Sequence, residues 1–131
     1  MAEYLILRTM KTITEAAALI QGGQLSPVEA TREMLSELID ANEIEEKDVA
    51  AAYFTMTPDL NACFPAAAAR QLGWNNTALM GATEVDVPGS LTRCIRVLIL
   101  MNTDKEPQEL VNLYLNGTIA LRLEGGESTK P

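Results

Sequence analysis

The sequence contains no histidine. Histidine is the side chain that most often acts as a general base at neutral pH, and it is the commonest metal ligand. The two cysteines, Cys63 and Cys94, lie far apart and form no Cys-X-X-Cys motif, which favours reduced thiols over a disulfide or a metal site. Any chemistry performed by this protein is therefore expected to proceed without a histidine base or a histidine-bound metal.

Cationic residues are also scarce. Ten lysines and arginines stand against 18 aspartates and glutamates, for a net charge of −8, and the cations are scattered along the chain. This composition argues against a nucleic-acid partner and against polybasic docking on a membrane. An anionic ligand would have to be held by a few converging arginines.

Long apolar runs are absent, so no membrane span is predicted, and the N-terminus lacks the pattern of a signal peptide. We therefore expect a cytoplasmic protein. The length of 131 residues suits one domain, which we place at residues 1–123. Residues 124–131, rich in Gly, Glu and Ser, are expected to form a flexible tail.

Apolar periodicity and turn residues predict alternating strands and helices. Strands are expected at residues 4–8, 48–56, 78–83, 94–101 and 119–123, and helices at 14–20, 26–42, 66–72 and from 107 to about 116. The pattern indicates an α+β or α/β domain with a mixed sheet. Because aromatics make up only 5% of the chain and the strands look apolar on both faces, we favour an oligomer over a monomer.

Residues 84–101 are the most informative stretch. Alternation predicts that Glu84 and Asp86 share one strand face, before a turn at residues 88–90 and an apolar strand entered by Arg96. The two carboxylates could form an acid/base pair, although solvated charge is the more common reading of such a pair. Arg96 is either a paired arginine reaching the surface or part of an anion site.

The sequence contains no phosphate-binding glycine motif and no nucleophile elbow, and a Ser-His-Asp arrangement is impossible without histidine. Several motifs together nevertheless resemble the monofunctional Bacillus-type (AroH-class) chorismate mutases. They are Thr57-Pro58-Asp59-Leu60, Phe64-Pro65-Ala66, Ala69-Arg70, Pro88-Gly89-Ser90-Leu91, Cys94-Ile95-Arg96-Val97, Asn102-Thr103-Asp104 and Tyr114-Leu115. The resemblance runs from about Ser26 to Leu123.

The resemblance implies a homotrimer with a pseudo-α/β-barrel arrangement and active sites in the clefts between subunits. It also implies conversion of chorismate to prephenate, in the biosynthesis of phenylalanine and tyrosine. This intramolecular pericyclic rearrangement needs no metal, cofactor or proton carrier, which agrees with the missing histidine.

The same resemblance assigns roles to individual residues. Arg96 would donate to the ether oxygen that gains negative charge, and Glu84 would accept from the ring hydroxyl. The remaining candidates are substrate-binding: Arg8 and Tyr114 at a carboxylate, Arg70 and Arg122 at the cleft mouth, Phe64 and Leu121 as apolar wall, and Gly81 through its backbone N–H.

The N-terminal part departs from the family pattern. Arg8 is the best counterpart of an arginine that the family carries in a glycine-rich strand, and about ten extra residues, near 16–25, precede the helix at Ser26. The alternative function is a non-catalytic trimeric small-anion-binding or regulatory protein on the same scaffold. An enamine/imine deaminase-like trimer is a third, less favoured, possibility.

Overall fold

The computed structural model describes residues 12–19, 26–61 and 63–114. Within these residues the structure has two helices and five strands, in the order β1 (Thr12–Leu19), α1 (Pro27–Asn42), β2 (Val49–Met56), α2 (Ala66–Gln71), β3 (Ala78–Thr83), β4 (Cys94–Met101) and β5 (Leu113–Tyr114). Short 3-10 turns lie at Glu46–Asp48 and Pro107–Glu109. The class is mixed α+β, as predicted.

The five strands form one mixed sheet in the order β3-β2-β4-β1-β5. The central strand β4 pairs antiparallel with β2 on one side and with β1 on the other. The outer pairs, β2 with β3 and β1 with β5, are parallel. A residue of β4 is therefore flanked by two strands and lies far from both edges of the sheet.

Helix α1 confirms the helix predicted at residues 26–42. The Ser26 hydroxyl accepts from the Glu29 N–H at 3.2 Å, and the Glu29 carboxylate accepts from the Ser26 N–H at 3.0 Å, which together complete a capping box. The helix ends after Asn42, and Glu43, with a left-handed backbone (φ 54°), caps it by donating its N–H to the Ile39 carbonyl.

The core lies between this helix and the sheet. Met34, Leu35 and Leu38 of α1 are fully buried, as are Phe54 of β2 and Ile95 of β4. Burial along β4 alternates between buried and half-buried positions. In the single chain, then, one face of β4 is covered and the other is only half covered, although an uninterrupted apolar strand is typical of burial on both faces.

The helix predicted at residues 14–20 is wrong, because β1 occupies residues 12–19 and pairs with β4 along its whole length. Alanine and leucine favour a helix locally, but a continuous ladder with the central strand overrides that propensity. Residues 16–19 of the segment predicted as extra thus belong to the sheet.

The helix predicted after Pro107 is also wrong. A single turn at Pro107–Glu109 leads towards β5. Between the two, the Asn42 side chain forms hydrogen bonds with the backbone of Val111. Its carbonyl accepts from the Val111 N–H at 2.7 Å, and its amide donates to the Val111 carbonyl at 2.9 Å. These contacts take up backbone groups that a helix would have paired internally.

The strand predicted from Glu84 onwards ends earlier than expected. The Glu84 N–H still donates to the Met56 carbonyl at 2.9 Å, but residues 84–87 then leave the sheet, and Val85 and Val87 are exposed. The prediction that Glu84 and Asp86 share a strand face is therefore wrong.

Several predictions fall outside the described residues: the strand at residues 4–8, the strand at 119–123 and the tail at 124–131. Among the described helices, none combines the length and apolar character needed to cross a membrane.

Candidate active site

The site is built where three strands bring one hydroxyl, one carboxylate and one guanidinium together. Arg96 on β4 is paired in register with Thr55 on β2, and Thr55 is paired with Ala82 on β3. Glu84 follows directly after β3, two residues beyond Ala82. Cross-strand partners project from the same face of a sheet, so Thr55 and Arg96 face the same side.

Glu84 and Arg96 form a two-pronged ion pair. Nε of Arg96 donates to Oε2 of Glu84 at 2.6 Å, and Nη2 donates to Oε1 at 2.7 Å. The Glu84 side chain is 14% exposed, and that of Arg96 is 42% exposed. The acid is therefore sheltered, and the guanidinium that it orients reaches solvent, where it is accessible to a ligand.

The Glu84 carboxylate has two further donors. The Thr55 hydroxyl donates to Oε2 at 2.7 Å, and the Val85 N–H donates to Oε1 at 3.2 Å. A carboxylate has about four lone-pair positions, so these contacts and the two from Arg96 use its whole capacity. A ligand hydroxyl could bind Glu84 only by replacing one of them.

These hydrogen bonds keep Glu84 ionised. The Arg96 guanidinium lowers the pKa of Glu84, partial burial opposes this, and the Thr55 hydroxyl lowers it further. The site thus presents a fixed carboxylate at neutral pH, which cannot donate a proton but can accept a hydrogen bond.

A shallow groove of about 240 Å³ opens at Arg96. Its walls are formed by Tyr53, Thr55, Arg96, Val97 and Leu98. The groove lies on the half-covered face of β4, opposite the helices. It combines a cation with apolar and aromatic surface, a combination that suits a small anionic ring compound.

Tyr114 lies in the same row of the sheet as Arg96. Ala17 of β1 is paired with Arg96 on one side and with Tyr114 on the other. Two strand spacings separate Tyr114 from Arg96, about 10 Å between backbones. The structure therefore brings together Arg96, Glu84 and Tyr114 of the predicted set.

The strand between Arg96 and Tyr114 carries no arginine, since β1 reads Thr-Ile-Thr-Glu-Ala-Ala-Ala-Leu. Arg8 precedes β1 by four residues and lies outside the described part, as do Leu121 and Arg122. The alignment of Arg8 with Tyr114 therefore stays a prediction.

Phe64 and Gly81 line a second groove, of about 360 Å³, that shares no residue with the first. Phe64 is 83% exposed, which is exceptional for a side chain of its size. A Cβ added at Gly81 would meet the Phe54 carbonyl at 4.0 Å, so the position also has room for a larger residue. Of the predicted site residues, Arg96 thus lines the first groove, and Phe64 and Gly81 line the second.

Arg70 joins neither groove. Its Nη1 donates to the Trp74 carbonyl, which closes the turn after α2. In the single chain Arg70 therefore binds a backbone carbonyl. Its predicted contact with an anion at the cleft mouth stays a prediction.

The thiols offer little chemistry. Burial raises the pKa of Cys94 to about 11, and it also raises the pKa of Cys63. Both are free and protonated at neutral pH, hence poor nucleophiles. Within residues 12–19, 26–61 and 63–114, no three Cys, Asp or Glu side chains come together in a way that could hold a metal ion.

Sequence reasoning missed Thr55. The only available signal was a hydroxyl in the later half of an otherwise apolar strand, and such a residue is usually a surface position. Its importance comes from register, since only the pairing of β2 with β4 places it opposite Arg96.

Comparison with known proteins identifies the family. The family model for chorismate mutase type I matches residues 12–124. The chain belongs to this family. It is 47% identical to chorismate mutase AroH of Thermus thermophilus over 95 residues, which are 72% of this chain and 78% of the relative.

Two further comparisons agree with this family. Chorismate mutase AroH of Bacillus subtilis is 35% identical over 96 residues, which are 72% of this chain and 76% of the relative. A solved chorismate mutase from Clostridium thermocellum superposes with a TM-score of 0.78 at 42% identity, over 82% of this chain and 97% of the other. As a member of the chorismate mutase family, the protein is an enzyme, an isomerase.

Proposed function

We propose that the protein converts chorismate to prephenate by restraining the substrate and by stabilising the transition state with Arg96. The observation that carries this proposal is the two-pronged pair of Glu84 and Arg96 beside an open groove. In the rearrangement the breaking ether oxygen gains negative charge while no proton is transferred. A site with a fixed cation and no titrating base at neutral pH suits that reaction.

Arg96 acts as the electrostatic catalyst. Two of its N–H groups are held by Glu84, so the plane of the guanidinium is set before the substrate arrives. A preorganised cation needs little reorganisation as charge develops, and it therefore stabilises the transition state more than the substrate.

Glu84 has a second role as the acceptor for the ring hydroxyl. Of its four contacts, the Val85 N–H at 3.2 Å is the longest and is exposed, so it is the contact that a substrate hydroxyl would replace. The hydroxyl would then bind at Oε1, while Oε2 keeps its contacts with Arg96 and Thr55. This orients the ring and contributes to proximity.

The complete site is proposed to form between subunits of a homotrimer. The half-site at Arg96 and the half-site at Phe64 lie in separate grooves, and both expose apolar surface. A cyclic trimer would place one half-site of each chain against the other half-site of its neighbour. Tyr114 and Arg8 would bind a substrate carboxylate, and Arg70, Arg122, Leu121 and Gly81 would complete the pocket.

The N-terminal strand β1 lacks the arginine that the family pattern places in it. Because β1 contributes no cation to the row that joins Arg96 and Tyr114, a carboxylate there depends on Arg8 from outside the strand. If Arg8 does not reach the row, the outcome is a mutase with weaker substrate binding rather than an inactive one, since Arg96 and Glu84 are unaffected.

The proposal is tested by following the ultraviolet absorbance of chorismate with the purified protein, without added metal or cofactor. Arg96→Ala should lower kcat/KM by at least about 10²-fold, the usual effect of removing a transition-state donor. Arg96→Lys should recover little, because lysine cannot hold Glu84 in the two-pronged geometry. Arg32→Ala on the exposed face of α1 is the matched control.

Circular dichroism and melting temperature establish that each variant is folded. Wild-type activity retained by a folded Arg96→Ala variant would remove Arg96 from the mechanism. Binding of a prephenate-like inhibitor by the wild type without turnover would favour the non-catalytic alternative.

A further inference from the structure

We propose that Thr55 is a positioning residue, whose hydroxyl fixes the Glu84 carboxylate and through it the direction of the Arg96 guanidinium. The inference rests on the proposed roles of Arg96 and Glu84 and adds a third member to their unit. Thr55 touches both the carboxylate and the groove, but its role is exerted through Glu84.

The geometry around Oε2 carries the inference. Oε2 accepts from Thr55 Oγ1 at 2.7 Å and from Arg96 Nε at 2.6 Å, so two donors converge on one oxygen. Both are among the shortest hydrogen bonds to a carboxylate in the described part of the chain. With Oε2 held from two strands, the carboxylate cannot rotate about its Cγ–Cδ bond without losing both contacts.

Register makes this contact stiff. Thr55 is opposite Arg96 in the β2–β4 ladder and opposite Ala82 in the β2–β3 ladder, so its backbone is held on both sides. A threonine in a strand has few χ1 rotamers, which further limits where its hydroxyl points. Glu84, in contrast, stands at the first position after β3, where the chain leaves the sheet. The Thr55 hydroxyl, held by two strand ladders, thus anchors the carboxylate of Glu84, which lies on a less constrained segment.

The electrostatic surroundings point the same way. The charged group that acts on Glu84 is Arg96 of β4, while the Cys94 thiol of the same strand is protonated and therefore neutral at pH 7. β3 itself carries no titratable side chain, and β2 contributes the Thr55 hydroxyl. The hydroxyl stabilises the ionised acid and so lowers the pKa of Glu84 together with Arg96.

The test compares Thr55→Val, which keeps the shape of the side chain but removes the hydroxyl, with Thr55→Ser, which keeps the hydroxyl. The Glu84 carboxyl is followed by NMR of protein labelled with ¹³C-glutamate, and Glu84→Gln identifies its signal. Thr55→Val should shift the titration of Glu84 to higher pH, and Thr55→Ser should restore the wild-type titration. This measurement does not depend on turnover.

Activity provides the second readout. Thr55→Val should lower kcat/KM about tenfold, the usual effect of losing one hydrogen bond to a charged group, mostly through kcat. The acidic limb of the pH profile should move in the same direction as the NMR titration. Thr55→Ser should recover most of the activity.

Thr77→Val is a matched control. The Thr77 hydroxyl also donates to a carboxylate, Oε2 of Glu46 at 2.9 Å, but at the opposite end of the β2–β3 pair. It should lose stability as Thr55→Val does and leave kcat and the Glu84 titration unchanged. Thr55→Ala repeats the test if the valine variant does not fold.

The inference is overturned if the hydroxyl-free variants show the wild-type titration of Glu84 or the wild-type kcat. If the wild type shows no turnover, the proposed function fails, and the NMR titration then still decides whether Thr55 holds the carboxylate.

Discussion

At the scale of single residues, the ion pair of Glu84 and Arg96 has features that separate it from a surface salt bridge. Exposed pairs contribute about 0–1 kcal/mol, because solvent screens them and both side chains lose entropy. Here the acid is mostly shielded and is also held by Thr55 and by the Val85 N–H. The pair therefore orients a cation more than it stabilises the fold.

Glu84 should nevertheless make stability depend on pH. Its pKa is lowered in the folded state, chiefly by Arg96, so its contribution is present above the unfolded value of about 4.3 and is lost as pH falls through the folded pKa. Wild type should exceed Glu84→Gln in stability at pH 7, and this difference should shrink as the pH is lowered below that range.

Urea unfolding at a series of pH values measures the difference. Glu37→Gln, an exposed position on α1, controls for the loss of one negative charge. A difference in the free energy of unfolding between wild type and Glu84→Gln that stays constant down to pH 3 would show that the pair does not hold the carboxylate ionised.

At the scale of elements, Asn42 connects the end of α1 to the segment that leads to β5. It is 1% exposed, and its side chain binds both backbone groups of Val111 and the Leu38 carbonyl. The Lys105 ammonium donates to the backbone carbonyl of Asn42 at 3.0 Å. One buried amide therefore places the strand that carries Tyr114.

We expect Asn42→Ala to lower the free energy of unfolding by about 2–4 kcal/mol, because it leaves buried backbone groups without partners and opens a small cavity. Hydrogen exchange should rise first at Leu113 and Tyr114. Asn75→Ala, at an exposed position, is the control. Unchanged exchange across β5 in the Asn42 variant would show that another contact holds that strand.

Elements with chemical signals of their own could be predicted from the sequence. Neighbouring residues are enough to predict the capping box of α1, the ends of β2 and β3 and the apolar strand β4. β1 and β5 could not be predicted, since their strand character comes from pairing with each other and with β4 rather than from local propensity. Arg96 and Glu84 emerged as candidates, whereas Thr55 needed the register.

At the scale of the whole molecule, the proposed division of the site between two grooves of neighbouring subunits has a direct test. In a cyclic trimer, a variant damaged in one half-site should complement a variant damaged in the other. Arg96→Ala disables the first groove. Phe64→Asp places a negative charge in the second, and because Phe64 is exposed it should leave the fold intact.

When the two variants are unfolded and refolded together in equal amounts, each mixed trimer holds one site built from two undamaged halves, so about a quarter of wild-type activity should return. Each variant refolded alone should stay inactive. Analytical ultracentrifugation of every sample tests whether the proposed trimer has formed. No recovery from mixed trimers would mean that both halves belong to one chain.

The position of β4 has a consequence for how the protein comes into being on the ribosome. Its partners lie roughly 40 and 80 residues earlier in the chain, so β1 and β2 are synthesised long before the strand that separates them exists. Among the described strands, β2 and β3 alone can form their native pairing during that interval. Pairings this distant in sequence make for slow folding, and the nascent chain must keep apolar strands apart until β4 emerges. The strand that carries Arg96 is thus also the one whose arrival joins β1 to the β2–β3 pair.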